Sequence, residues 1–209
     1  MKKFKTEQEK FWAGKFGTEY IYRNQSEEYL ASNIGFFSKT LAKTNALNSC
    51  IEFGANIGMN LRAIKCLFPN IALKGVEINP DAADILSEFL GEKNVCRGSI
   101  LEYSANSEKD KCDLALIKTV LIHINPDSLN AVYDKLYKAS RKYILICEYY
   151  NQVPVTISYR GHSRKLFKRD FAGEMLDRFK DLKLVDYGFS YQRDGAFSQD
   201  DITWFLLSK

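Results

Sequence analysis

The chain has 209 residues and a mass of 24.0 kDa, enough for one domain, and its 45% hydrophobic content can fill a core of that size. No apolar window of about eighteen residues occurs, and the start, MKKFKTEQEKFW, lacks the apolar stretch of a secretory signal, so a soluble, cytoplasmic protein with no membrane partner is expected. Five cysteines without a CxxC pair suit neither a zinc site nor a disulfide framework, no metal is expected, and a net charge of +4 is too mild to require nucleic acid.

In chain order, residues 1 to 47 read as an N-terminal helical cap or lid. Ser26 precedes Glu27 and Glu28, the pattern of an N-cap with acids in the first turn. Tyr29, Leu30, Ile34, Phe37 and Leu41 then recur at helical spacing and predict one buried face. From residue 48 to 209 the texture is that of a core domain. Short β-rich runs (SCIEF, IALKGVEI, NVCRG, CDLALI) alternate with helical patterns (LRAIKCLF, AADILSEFL), which implies a parallel sheet with right-handed crossovers. Cys50, Cys112 and Cys147 fall in apolar runs and are expected in the core. LNAVYDKLYKAS predicts a helix and KYILICEYY a fifth, fully buried strand. Residues 151 to 168 show no clear periodicity, RDFAGEMLDRF reads as a helix, and LKLVDYGFSYQ with DDITWFLLSK predicts a closing antiparallel pair.

The first strand ends in FGANIG. Ligands of an open parallel sheet sit beyond the carboxyl ends of its strands, where this turn falls. Gly54 can take positive φ and admit a ligand to the backbone, while Gly58 opens a helix whose free N–H groups attract electronegative atoms. A plain β-α turn is the alternative. Glu77 ends the next strand, roughly twenty residues on, where an acid can accept hydrogen bonds from two ribose hydroxyls; a surface acid is the bland reading. A dinucleotide turn needs G-x-G-x-x-G to admit the pyrophosphate, and Asn56 stands where its middle glycine belongs. A cofactor without a pyrophosphate needs no such room, and Glu52 and the Asn56 amide can face a polar amino-acid tail.

The order IEFGANIG, GVEINP, RGSIL, CDLALIKTVLIHINP and KYILICEYY resembles the class I S-adenosylmethionine-dependent methyltransferases. Through FWAGKFGTEYIYRN, YRGHSRKLFKRDFAGEML, DYGF and DDITWFLL, the whole chain resembles the methylases associated with biosynthesis of pseudaminic and related nonulosonic acids. The resemblance implies an α/β, Rossmann-like fold: a seven-stranded, mostly parallel sheet in the order 3-2-1-4-5-7-6, last strand antiparallel, with helices on both faces. It implies S-adenosyl-L-methionine as cofactor, with Phe53, Gly54, Ala55, Asn56 and Gly58 around the methionine portion. Glu77 would bind the ribose, and Ile78 and Asn79 would flank the adenine. Gly98, Ser99 and Ile100 follow strand three, where Ser99 replaces the acid that commonly contacts the adenine amino group. Lys118 and Thr119 end strand four, beside the transferred methyl.

Methyl transfer from a sulfonium is an in-line displacement, so the protein aligns the acceptor and removes a proton. His123, after TVLI, is the candidate base; its bland reading is a histidine that caps the next helix or bonds to backbone. The stretch YRGHSRKLFKR, within an expected substrate loop at about residues 151 to 168, gathers Tyr159, Arg160, His162 and Arg164 with further lysines. Guanidinium groups pair with carboxylate or phosphate, and a solvated face is the alternative. Near the start, Trp12 is assigned to docking the cap, while Tyr20 and Arg23 are candidate acceptor contacts.

A nucleic-acid base methylase needs an element such as D/N-P-P-Y/F after strand four, where IKTVLIHINP stands, so no nucleic-acid partner is expected. The sequence thus predicts methylation, at oxygen or nitrogen, of a small acidic sugar such as pseudaminic or legionaminic acid, free or CMP-activated. A non-catalytic protein binding S-adenosylmethionine or a sugar nucleotide, and an NAD-dependent oxidoreductase, are the competing classes. Oligomeric state has no signature in the sequence.

Overall fold

The most apolar runs of the sequence become the central strands. In the computed structural model, which describes residues 4–23 and 25–209, β1 (Ser49–Phe53) and β4 (Cys112–Lys118) are buried on both faces. Met1 to Lys3 of the basic start, and Asn24, the last residue of FWAGKFGTEYIYRN, lie outside the described residues. Around this centre stand β2 (Ala72–Glu77), β3 (Val95–Arg97), β5 (Ser140–Glu148), β8 (Lys183–Ser190) and β9 (Ile202–Ser208). The sheet order is β3-β2-β1-β4-β5-β9-β8. The first five strands pair in parallel, and β9 is antiparallel to both β5 and β8. With β6 (Val155–Tyr159) and β7 (His162–Lys168) set apart in their own hairpin, this is the expected order 3-2-1-4-5-7-6.

Alternation along each strand divides the core in two. Ile51, Phe53, Ala115 and Ile117 face α6 (Leu129–Ala139) and α7 (Phe171–Arg178), where they meet Val132, Leu136 and Met175. Cys50, Leu114, Leu116 and Leu145 face the other side, where α4 (Met59–Leu67) and α5 (Pro80–Leu90) contribute Leu61, Ile64 and Leu86. Each fully buried Val, Leu, Ile, Phe or Met among them stabilises the fold by about 1.5–3 kcal/mol. Cys50, Cys112 and Cys147 are buried and free, as their apolar runs predict.

The described residues up to 47 include three helices, α1 (Glu7–Ala13), α2 (Lys15–Ile21) and α3 (Glu27–Thr40). Ser26 caps α3 by accepting from the Tyr29 N–H. α3 adds Phe36 and Phe37 to the core beside α4, whereas α1 and α2 contribute residues to the cavity described below. No described helix is long and apolar enough to cross a membrane.

The segment without periodicity is a correction: residues 155 to 168 form a hairpin, β6 (Val155–Tyr159) and β7 (His162–Lys168). Arg160 and Gly161 link them with φ of 49° and 82°, the two positive values of a tight hairpin turn. Most of β6 and the first half of β7 are exposed; β6 does alternate, with Val155, Ile157 and Tyr159 set between Thr156 and Ser158, but β7, HSRKLFK, carries no such period and masks the pairing.

Candidate active site

Register brings the strand ends to one edge: Phe53 lies level with Val76 and Ile117, so the Gly54 turn, Glu77 and Lys118 emerge together. The N–H groups of Gly54 and Ala55 both donate to the Val76 carbonyl, at 2.8 and 3.1 Å. Gly54, Asn56 and Gly58 have φ of 77°, 48° and 85°. A Cβ on Gly54 would stand 2.6 Å from Val120, and one on Gly58 2.8 Å from Leu86. Both glycines are therefore required by backbone and packing.

Glu77 locks this turn to β2. Its carboxyl accepts from the Asn56 N–H and from the Asn79 N–H, each at 2.7 Å, and the Gly98 N–H donates to its carbonyl at 2.8 Å. Burial raises its pKa, while the backbone N–H groups oppose the rise. The Asn79 side chain caps α5 through the Ala82 N–H and donates to the carbonyls of Trp12 and Gly14 and to Thr18 Oγ1. It thereby fastens the α1–α2 cap to the end of β2.

The strand ends and the cap enclose a cavity of about 1170 Å³, counted out to its open mouth. Gly54, Ala55, Asn56, Glu77, Ile78, Asn79, Gly98, Ser99, Ile100, Lys118, Thr119, His123 and Tyr20 all line it. Phe53 and Gly58 do not line it: Phe53 is buried, edge-on to Tyr103 at 5.1 Å, and Gly58 is the N-cap of α4. Among buried polar atoms of the described residues, Gln8 Oε1, Asn56 Oδ1 and Asn60 Oδ1 have no partner, and all three residues line the cavity. Behind them Glu52 accepts from Asn60 at 2.6 Å. Burial pushes its pKa up to about 8, against the hydrogen bond from Asn60 and the charge of Lys118. The Lys118 ammonium lies 5.7 and 5.6 Å from the rings of Tyr29 and Phe36.

Beyond β4 the chain turns sharply. Thr119, a β-branched residue, has φ of 55°, a conformation that the surroundings must impose. Glu148, buried at the end of β5, accepts from the N–H groups of Val120 and Leu121 at 2.9 and 2.8 Å and of Ile122 at 3.4 Å. It thus caps the short 3-10 turn Leu121–His123. Burial raises its pKa to about 8, with those N–H groups acting in the other direction. The signal that picked out Glu77, an acid closing an apolar strand, was equally present at Glu148.

His123 packs against both Trp12 and Tyr159, each ring centroid 4.8 Å from its own. Its Nδ1 is 2.6 Å from the Lys165 carbonyl. A carbonyl only accepts, so Nδ1 carries the hydrogen and Nε2 keeps its lone pair. Burial pushes the pKa down to about 4, against the carbonyl bond.

The other acceptor candidates lie on the hairpin and cap. Arg160, His162 and Arg164 are exposed and do not line the cavity. His162 packs 5.0 Å from Phe11, and Arg164 has φ of 56°. Arg23 is exposed, 5.9 Å from the rings of both Phe16 and Tyr20. The hairpin meets α1 through Gln8, which donates to the Arg164 carbonyl at 3.0 Å, and through a Lys165–Glu7 ion pair at 3.5 Å. Ser99 donates to Glu9 of α1, a contact across 90 residues with no local signal in the sequence.

No family model matches the chain, and no curated protein does. Solved structures do match it. A SAM-dependent methyltransferase of Leishmania major aligns with a TM-score of 0.69 and 13% identity, over 97% of this chain and 86% of that one. The fold is that of the SAM-dependent methyltransferases. The mitomycin 7-O-methyltransferase MmcR aligns with a TM-score of 0.66 and 13% identity over 98% of this chain, which spans 61% of that longer protein. Magnesium protoporphyrin IX methyltransferase from Synechocystis PCC 6803, solved with bound SAM, gives 0.64 and 12% over 99% of both chains.

Proposed function

We propose that the chain is an S-adenosyl-L-methionine-dependent methyltransferase of a small acidic sugar, a nonulosonic acid such as pseudaminic or legionaminic acid, free or CMP-activated, acting at oxygen or nitrogen. The observation that carries this reading is a single cavity joining an acceptor-rich wall at the ends of β1, β2 and β3 to the imidazole of His123. The orphaned acceptors Asn56 Oδ1 and Asn60 Oδ1, the Glu77 carboxyl and the Lys118 ammonium fit a ligand bearing hydroxyls, an ammonium and a carboxylate.

In this reading the turn from Phe53 to Gly58 and Lys118 hold the amino-acid portion of the cofactor. Glu77 binds the ribose, while Ile78 and Ile100 face the adenine. Bound there, the cofactor supplies an electrophilic methyl group on a sulfonium. His123 Nε2 accepts the proton leaving the acceptor atom, with Glu148 fixing the turn that carries the ring and Lys165 fixing its tautomer. Thr119 sits beside this path on a strained backbone. The acidic sugar is supported by the cations of Arg160 and Arg164 on the hairpin that holds His123, which suit its carboxylate or a nucleotide phosphate. The rings of Trp12 and Tyr159 beside His123 favour a second reading, a planar aromatic acceptor.

A thermal-shift comparison tests the cofactor class. Stabilisation by S-adenosylhomocysteine and not by NAD is expected, because a ligand bound to the native state raises Tm by mass action. The reverse result would overturn the reading in favour of an oxidoreductase.

A further inference from the structure

On one side of the sheet α6 packs on β4 and β5, and α7 on β5. Beyond them the same face of the last strands carries exposed rings. β8 is the sheet edge, next to β9. Leu184 pairs across from Leu207 and Tyr187 from Phe205, and Leu207 and Phe205 belong to the core on the α6 and α7 side. Phe189 and Tyr191 continue the row, their rings 6.2 Å apart. Tyr187, Phe189 and Tyr191 are 64%, 54% and 50% exposed, and Leu184 is exposed too. Phe205 joins the row to a second segment: Tyr187 stacks on it at 6.3 Å, and the exposed ring of Tyr150, just after β5, lies 6.2 Å away.

The other side of β8 is occupied. Asp186, its one acid, pairs there with Lys43 at 2.9 Å, Val185 packs into the second core, and a Cβ on Gly188 would stand 2.7 Å from the buried ring of Trp204. The bare face is therefore aromatic and free of charge at its centre, the composition found at the middle of protein interfaces. Its five exposed residues offer roughly 500 Å² of apolar surface, taking about 200 Å² for each fully open aromatic side chain. An interface of ordinary size covers about 800 Å² per partner, about 65% of it apolar in homodimers. The face supplies that apolar area by itself, and a two-fold pair uses the same patch on both chains.

We propose that two copies of the chain pack this face, formed by Tyr150, Leu184, Tyr187, Phe189 and Tyr191, against each other about a two-fold axis. None of the five lines the cavity. Tyr150 stands on the link from Glu148 to the hairpin that holds His123, so the second copy braces that link. The proposal is independent of the methyl acceptor and of the cofactor.

Sedimentation velocity of the full chain, from about 1 to 100 μM, tests it, a range that spans micromolar dissociation constants. A species of twice the 24.0 kDa chain mass is expected. Tyr187→Thr combined with Phe189→Thr keeps strand-forming residues and should weaken association by about a hundredfold or more, the effect of removing two central aromatic anchors. Tyr150→Ser, on a separate segment, should weaken it by about tenfold. Tyr22→Ser alters another exposed ring, on the cap, and should leave the dimer intact. A wild-type chain that stays monomeric at the highest concentration overturns the proposal and leaves the face to a different protein. A dimer that persists unweakened in both β8 and Tyr150 variants, or that is lost equally in Tyr22→Ser, overturns it as well.

Discussion

His123 donates its Nδ1–H to the carbonyl of Lys165 across 2.6 Å, so the position of a β-hairpin sets the tautomer of an imidazole on a different element. The nitrogen left with a lone pair is the one a general base uses. Removal of the ring by His123→Ala is expected to lower kcat by about a hundredfold or more, with S-adenosylhomocysteine affinity within about twofold. Unchanged kcat with a lowered Tm would assign the histidine to structure.

The same burial predicts a pH dependence. With its folded pKa near 4, below the ordinary 6.5, His123 stays neutral at physiological pH. Its contribution to stability is complete above about pH 6.5 and is lost as pH falls toward 4, by up to roughly 3 kcal/mol. Chemical denaturation at pH 7 and pH 4.5 should show a smaller acid loss for His123→Gln than for the wild-type chain. Equal losses would show that the group is not the source.

Glu148 holds three N–H groups of the turn that carries His123. Glu148→Ala leaves them buried without an acceptor, at a cost of about 1–3 kcal/mol for each unmet group. It should lower Tm and also reduce kcat more than cofactor affinity, and Glu148→Gln, which retains an acceptor oxygen, should restore much of both. The wild-type carboxyl has a folded pKa near 8, above its ordinary 4.5. Its contribution to stability is therefore full below about pH 4.5 and declines as pH rises toward 8. Urea denaturation across that window should lose this slope in Glu148→Gln.

Glu77→Ala is expected to weaken S-adenosylhomocysteine binding by roughly tenfold or more, the loss of charge-assisted hydrogen bonds. Because Glu77 also ties Asn56 to Asn79, a fall in Tm should accompany it. Calorimetry showing unchanged affinity would remove the ribose assignment.

Arg160 and Arg164 are exposed on the hairpin, outside the cavity wall. Their replacement together by Ala should raise KM for the acceptor and spare cofactor affinity, because the Arg164 carbonyl that holds Gln8 belongs to the backbone and survives. Steady-state kinetics in which both suffer equally would make the hairpin's cations structural.

Much of the fold could be read in the sequence because its signals are local. Runs such as LALI and YILIC are buried on both faces and stay continuously apolar, and Ser26 announces α3 by its own side chain. The hairpin escaped because β7 is half exposed and carries no alternation, although Val155, Ile157 and Tyr159 of β6 recur at a period of two. The residues that build the site divide in the same way. Glu77 stands out as an acid at the end of an apolar strand, and Glu148, under the same rule, could have been found. Gln8 and Glu9 could not, because a capping helix gives no hint of which distant strand end it will cover. Asn79, placed by resemblance beside the adenine, lines the cavity with its side chain engaged by α5 and the cap.

The central claim is catalytic, and mass spectrometry addresses it most directly: nonulosonic acids, free and CMP-linked, and an aromatic hydroxyl panel are incubated with the chain and S-adenosylmethionine. A gain of one methyl group on a nonulosonic acid, lost in His123→Ala, is the predicted result. A chain that binds S-adenosylhomocysteine yet methylates no acceptor would contradict the account and leave a cofactor-binding module in its place.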